Sequence, residues 1–196
     1  MKWFYVALLF VVASVLSGCN AKSAPVWDTE NVTGGLPPIQ FTLTDDEGHV
    51  VDASHYAGKI TLLYFGYTHC PDVCPTTLAT IHEALHKIGK QADDVRVLFV
   101  SVDPKRDTAR ALKSYASAFG PHFIGLTGTQ PQLQAVTKRY HVTYSYYAPD
   151  SNGDYEVQHS SAIFVFGRHG NARLLMEYQK GATAMAHDLG QLISQG

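Results

Sequence analysis

Cysteine is scarce in this chain, with three residues in 196. Three thiols cannot staple a fold together, and a chain of this length can bury a core that needs no staples. Charge is scarce as well: Asp, Glu, Lys and Arg make up 16% of the residues, 15 basic against 17 acidic. Without a basic run there is no electrostatic footprint for phosphates, which excludes nucleic acid as a partner. Internal repeats and low-complexity stretches are missing too. The one long apolar run lies at the N-terminus.

That run, Trp3–Leu16, follows a single cation at Lys2 and gives way to small residues. It is too short to cross ~30 Å of hydrocarbon comfortably, so residues 1–18 read as a signal peptide and the chain as exported. Leu16-Ser17-Gly18-Cys19 resembles the lipobox of bacterial lipoproteins, in which cleavage leaves the Cys19 thiol as the acylation site. Acyl chains there would anchor the chain to a membrane. The location expected is the bacterial cell envelope, with the domain in the periplasm or outside the cytoplasmic membrane. The alternatives are an ordinary signal peptide with an incidental Cys19, or an uncleaved anchor. Residues 19–38, with Pro25, Gly34, Gly35, Pro37 and Pro38, read as a flexible tether, and the domain is expected over residues 39–196.

Within that domain, Lys59–Phe65 and Val95–Val102 are almost continuously apolar, as in strands covered on both faces. Between them, Leu78, Ile81, Leu85 and Ile88 share one helical face, with Pro75 in the first turn and Gly89 as the stop. This is a βαβ unit. A second helix follows Asp107, and a third begins at the capping-box sequence Thr129-Gln130-Pro131-Gln132. Ile163–Phe166 and Arg173–Tyr178 flank a turn and form an antiparallel hairpin, before a closing helix near Ala182–Ile193. The order predicts an α/β fold: a mixed sheet flanked by helices.

Cys70 and Cys74 lie between the first buried strand and its helix, where open α/β sheets place their sites. Cys74 falls at the helix N-terminus, where free N–H groups favour a thiolate. Such a pair can cycle between dithiol and disulfide, or hold a soft metal ion. Three intervening residues, against two in the usual redox motif, leave room for the sulfurs to splay around an ion. Two thiolates suit Cu(I), and a third ligand would let Cu(I) and Cu(II) be held in turn. Zn²⁺ is the rival, though a structural zinc site normally takes four ligands. A purely structural disulfide is the plain alternative.

Tyr64–Pro75, YFGYTHCPDVCP, closely resembles the Sco/SenC family of copper-binding, thioredoxin-like assembly factors of cytochrome c oxidase. Ser101–Thr108 (SVDPKRDT), Leu126–Thr129 and Tyr155–Ile163 (YEVQHSSAI) continue the resemblance over about residues 36–194. It implies a thioredoxin-like fold and one copper ion held by Cys70, Cys74 and His159. It further implies a membrane-tethered chaperone delivering copper to the dinuclear centre of the oxidase. The implied partners are the oxidase's copper-centre subunit, a periplasmic thiol reductant or a copper donor, and the membrane. Gln158 stands where the family commonly has Asp, which removes a carboxylate beside the histidine. No proline stands in Gln158–Ser161, where thioredoxin-like oxidoreductases place one against their cysteines. The alternative activity is a thiol–disulfide oxidoreductase or redox sensor using the same Cys70–Cys74 pair.

The remaining candidates rank lower. His82-Glu83-Ala84-Leu85-His86 matches the H-E-x-x-H zinc signature, but it sits on a helix flank and reads as solvated. His69 is the alternate ligand. Asp103 ends a strand near the expected cleft and is a candidate for tuning the site or docking a partner. Asp107 reads as a helix cap and Asp72 as a turn residue. Tyr144, Tyr146 and Tyr147, ahead of a flexible loop at Pro149–Asp154, are either a partner-facing surface or ordinary exposed tyrosines.

Overall fold

The computed structural model describes residues 25–195; the expected signal peptide at 1–18 and the expected acylation site Cys19 lie outside them. Its strands are β1 (Glu30–Asn31), β2 (Thr42–Asp45), β3 (Val50–Asp52), β4 (Ile60–Gly66), β5 (Val95–Ser101), β6 (Phe123–Thr127), β7 (Tyr144–Tyr146), β8 (Val157–His159), β9 (Ile163–Phe166) and β10 (Ala172–Met176). The helices are α1 (Val73–Ile88), α2 (Ala109–Ser117), α3 (Gln130–Arg139) and α4 (Gly181–Ser194).

The two apolar runs become the centre of the sheet. Every residue of β4 is buried, and its Ile60–Gly66 pairs in parallel with Val95–Ser101 of β5. The main sheet runs β1-β10-β9-β4-β5-β6-β2-β3, with β4, β5 and β6 parallel and the other pairings antiparallel. This is the thioredoxin-like mixed sheet flanked by helices. Helix α1 turns Cys74, Thr77, Leu78, Ile81, Ala84 and Leu85 inward at helical spacing and ends at Gly89, whose φ of 59° suits glycine. It packs on α4, which buries Met185, Leu189 and Leu192. The Thr129–Gln132 capping box forms as expected. Helix α2 approaches β6 so closely that a Cβ on Gly125 would lie 2.6 Å from Leu112 Cβ.

Three features differ from the sequence expectations. The folded part begins well before residue 39, because β1 pairs with β10 and the Val32 and Ile39 amides donate to the Arg173 and Gly170 carbonyls. Buried Asp188 clamps this segment, accepting from Asp28 N, Thr29 N and Thr29 Oγ1 at 3.0, 2.9 and 2.6 Å. His187 Nδ1 adds contacts to Asp188 at 3.1 Å and Asp28 at 2.9 Å. Strands β2, β3 and β6 have no separate sequence signal, being short and completed by pairing across the sheet. Finally, β7 and β8 form a small second sheet, and Pro149–Asp154 is its hydrogen-bonded tip, with Asp150 Oδ1 accepting from Asn152 N and Asp154 N. No helix among the described residues is long and apolar enough to cross a membrane.

Replacing Asp188 with Ala leaves the Asp28 and Thr29 amides without their acceptor. Urea denaturation is expected to show a loss of about 1–3 kcal/mol, with faster proteolysis between residues 28 and 38; an unchanged midpoint and cleavage rate would show that the clamp is dispensable.

Candidate metal centre

The parallel β4–α1 connection brings Cys70 and Cys74 to the sheet's carboxyl edge, and β8 carries His159 against them. One ligand atom from each lies within 4.8 Å of the others. Cys74 Sγ is 3.3 Å from His159 Nε2, while the Cys74 amide faces Cys70 Sγ at 3.5 Å. His159 Nδ1 is 3.0 Å from the Ser160 carbonyl, which can only accept, so Nδ1 carries a proton and Nε2 is the ring nitrogen turned to the sulfurs. The imidazole stands edge-on between Tyr64 and Tyr67, with ring centroids 6.3 and 6.0 Å away. Two sulfurs and one imidazole nitrogen are a donor set that fits a soft ion such as copper.

The two thiols are free and differ in character. Cys70 is half-buried, and the hydrogen bond from the Cys74 thiol, helped by the His159 ring and then by the Asp72 and Cys74 backbone N–H groups, lowers its pKa to about 3. Cys74 is fully buried and pushed up, first by that same hydrogen bond and then by burial. The thiolate is therefore favoured at Cys70, not at Cys74 as the sequence suggested. The reason is geometric: Cys70 lies outside the helix facing its first amides, whereas Cys74 sits within the first turn, tucked against β4. Gly66 makes that tuck possible, since a Cβ there would be 2.7 Å from both Cys74 Sγ and Phe99 Cε2.

Asp107 is not the helix cap; Thr108 is, accepting from Ala111 N. Asp107 is buried and holds the loop that leads to Cys70, accepting from Thr68 N, Thr68 Oγ1 and Ser101 Oγ at 2.9, 2.6 and 2.6 Å. The sequence did contain a hint: Asp107 and Thr108 are two cap residues for a single helix. Asp103 is buried but bonds Tyr155 Oη at 2.8 Å and pairs with Arg106, so it reaches the site only through Arg106, which lies over the Tyr67 ring. His69 turns away from the sulfurs, toward Thr68 Oγ1 and Asp107. Gln158 is exposed and on the face of β8 opposite His159, so its carboxamide points away from the sulfurs. His82, Glu83 and His86 are exposed; His82 meets the Phe119 carbonyl and Glu83 pairs with Lys87.

The SCO1/SenC family model matches residues 36–194. The chain belongs to this family. Among curated relatives, the SCO2-like protein of Rickettsia conorii is 38% identical over 131 residues, covering 66% of this chain and 64% of that protein. The human mitochondrial SCO1 homolog is 38% identical over 132 residues, covering 66% of this chain and 44% of that protein. The chain thus spans less than two thirds of either relative. Among solved structures, copper-bound ScoI of Bradyrhizobium japonicum is 40% identical with a TM-score of 0.72, covering 79% of this chain and 98% of that one. Apo Sco1 of Thermus thermophilus is 33% identical with a TM-score of 0.76, covering 87% and 99%.

Two outcomes follow from this geometry. Because the lowered pKa keeps Cys70 charged far below neutrality, iodoacetamide should modify Cys70 in the reduced protein at pH 5 within about threefold of its rate at pH 8, with Cys74 spared. An ordinary thiol would slow about tenfold per pH unit, and that slope would refute the assignment. Gly66→Ala should cost about 1–3 kcal/mol in urea unfolding by overpacking Cys74 and Phe99; an unaltered stability would show that the contact relaxes freely.

Proposed function

We propose that this chain is a membrane-tethered copper chaperone, serving assembly of the dinuclear copper centre of cytochrome c oxidase. The observation that carries the reading is the convergence of Cys70 Sγ, Cys74 Sγ and His159 Nε2. Its support beyond the geometry is family membership and the copper-bound relatives. Copper is the cargo: both sulfurs bind it as thiolates, so the Cys74 proton must leave on loading. Release proceeds by ligand exchange, the thiolates of the recipient replacing Cys74 and Cys70 in turn. The half-buried Cys70 is the accessible point of entry. Oxidation to a Cys70–Cys74 disulfide removes both sulfur donors and empties the site, so a thiol reductant in the same compartment must restore the dithiol before a copper donor can reload it. Attachment through Cys19 and an envelope location remain part of this proposal, resting on the N-terminal sequence.

A second reading is favoured by the same thiol pair. A half-exposed Cys70 thiolate beside a buried Cys74 thiol is the arrangement of a disulfide reductase. Cys70 would attack a partner disulfide, and Cys74 would resolve the mixed disulfide, leaving the partner reduced and Cys70–Cys74 oxidised. The two electrons would then be replaced by a thiol reductant. In that chemistry His159 supplies no bond.

Copper stoichiometry separates the two. Reduced protein should bind one ion per chain, and the oxidised form, Cys70→Ser and Cys74→Ser none. His159→Ala should weaken binding and alter the Cu(II) spectrum. Equal binding in all forms would end the chaperone reading, and turnover of a disulfide substrate unaffected by His159→Ala would favour the reductase.

A further inference from the structure

The wall of the site behind Cys74 holds two buried hydroxyls, Tyr64 Oη and Thr77 Oγ1, neither in a well-formed hydrogen bond; the Tyr64 hydroxyl lies beside Thr77 and the Cys74 sulfur, and both residues are 0% exposed. An unpaired buried hydroxyl is costly and uncommon, so each asks for a reason. Side chains two apart on a strand share a face. Gly66 of β4 faces Cys74 Sγ, which is 2.7 Å from where its Cβ would lie, so Tyr64 of the same strand faces that sulfur as well. On α1, Thr77 follows Cys74 by three residues and is buried on the same face. The Tyr64 ring also stands edge-on to His159, with centroids 6.3 Å apart, and so lines two of the three ligands.

We propose that Tyr64 is a positioning residue whose hydroxyl donates to the Cys74 sulfur when that sulfur is a metal-bound thiolate. In the metal-free dithiol the Cys74 sulfur makes no well-formed hydrogen bond with this hydroxyl, and a thiol sulfur is a weak acceptor. The hydroxyl is then left unpaired. A metal-bound sulfur is a thiolate, a charged acceptor in a water-excluded pocket, where an O–H donor is worth far more. The cost of the unpaired hydroxyl is carried by the empty form and relieved in the loaded one, which shifts the balance toward holding copper. The hydrogen bond also draws electron density from the sulfur and tunes its bond to the metal.

This inference rests on the copper reading, and its test keeps the two apart. In the whole, detergent-extracted protein, Tyr64→Phe preserves the ring and its contact with His159 while removing only the hydroxyl. Cu(I) affinity, measured by competition with a chromophoric chelator, should fall about tenfold, the usual scale for a hydrogen bond to a charged group. The sulfur-to-Cu(II) charge-transfer band should move to lower energy. The melting temperature of the metal-free protein should stay the same or rise, because the hydroxyl has no partner there. Unchanged Cu(I) affinity, an unmoved band, or equal destabilisation of the empty and loaded forms would each overturn the assignment. Thr77→Val serves as the second variant: if the affinity loss and band shift follow it and not Tyr64→Phe, Thr77 is the donor and the proposal is wrong. If the unsubstituted protein takes up no Cu(I), the chaperone reading fails first and takes this inference with it.

Discussion

The burial of the Cys74 sulfur beneath the end of β4 is the constraint on which the site depends. That sulfur occupies the space a side chain at position 66 would need, and it is possible only because the residue there is glycine. Once seated, it fixes the first turn of α1 against the sheet and leaves Cys70 outside the helix, facing amide N–H groups. It also gives His159 a target, 3.3 Å away, to which the small β7–β8 sheet is docked. The asymmetry between a charged, reachable Cys70 and a protonated, enclosed Cys74 follows from this one packing decision.

Two buried carboxylates hold the surroundings in register. Asp107 ties the loop carrying Thr68 to the end of β5 through Ser101. Asp103 gathers Arg106 and Tyr155, and the guanidinium lies 3.6 Å from the Tyr155 ring centroid and 5.6 Å from that of Tyr67. Since Tyr67 borders His159, the same cluster braces one wall of the imidazole. Both acids are saturated with donors, which is the condition under which a carboxylate can remain buried. On the far edge of the sheet, Asp188 does the equivalent for the N-terminal segment. The loops and the N-terminal extension are thus anchored by polar contacts, whereas the sheet is held by its apolar core.

Local pattern carried the elements whose stability is local or fully apolar. The continuous runs of β4 and β5, the inward face of α1 and the capping box at Thr129 needed no partner to be legible. Short strands such as β2, β6 and β8 carry too few residues for a period of two, and they exist because a neighbour supplies their hydrogen bonds. The same reason explains β1: Glu30 and Asn31 are exposed and unremarkable until β10 offers its edge.

At the site, the sequence by itself determined the chemistry on offer: two thiols spaced three residues apart at a strand–helix junction, soft donors with a helix N-terminus beside them. The resemblance of the surrounding motifs pointed to His159, 85 positions beyond Cys74. Only the tertiary structure decided which sulfur is charged, which imidazole nitrogen faces the sulfurs, and which acid does structural duty in place of capping a helix. Those properties depend on distances between residues remote in the chain and on exclusion of water. Neither is encoded in spacing alone, because both arise when β8 and α1 close over the end of β4.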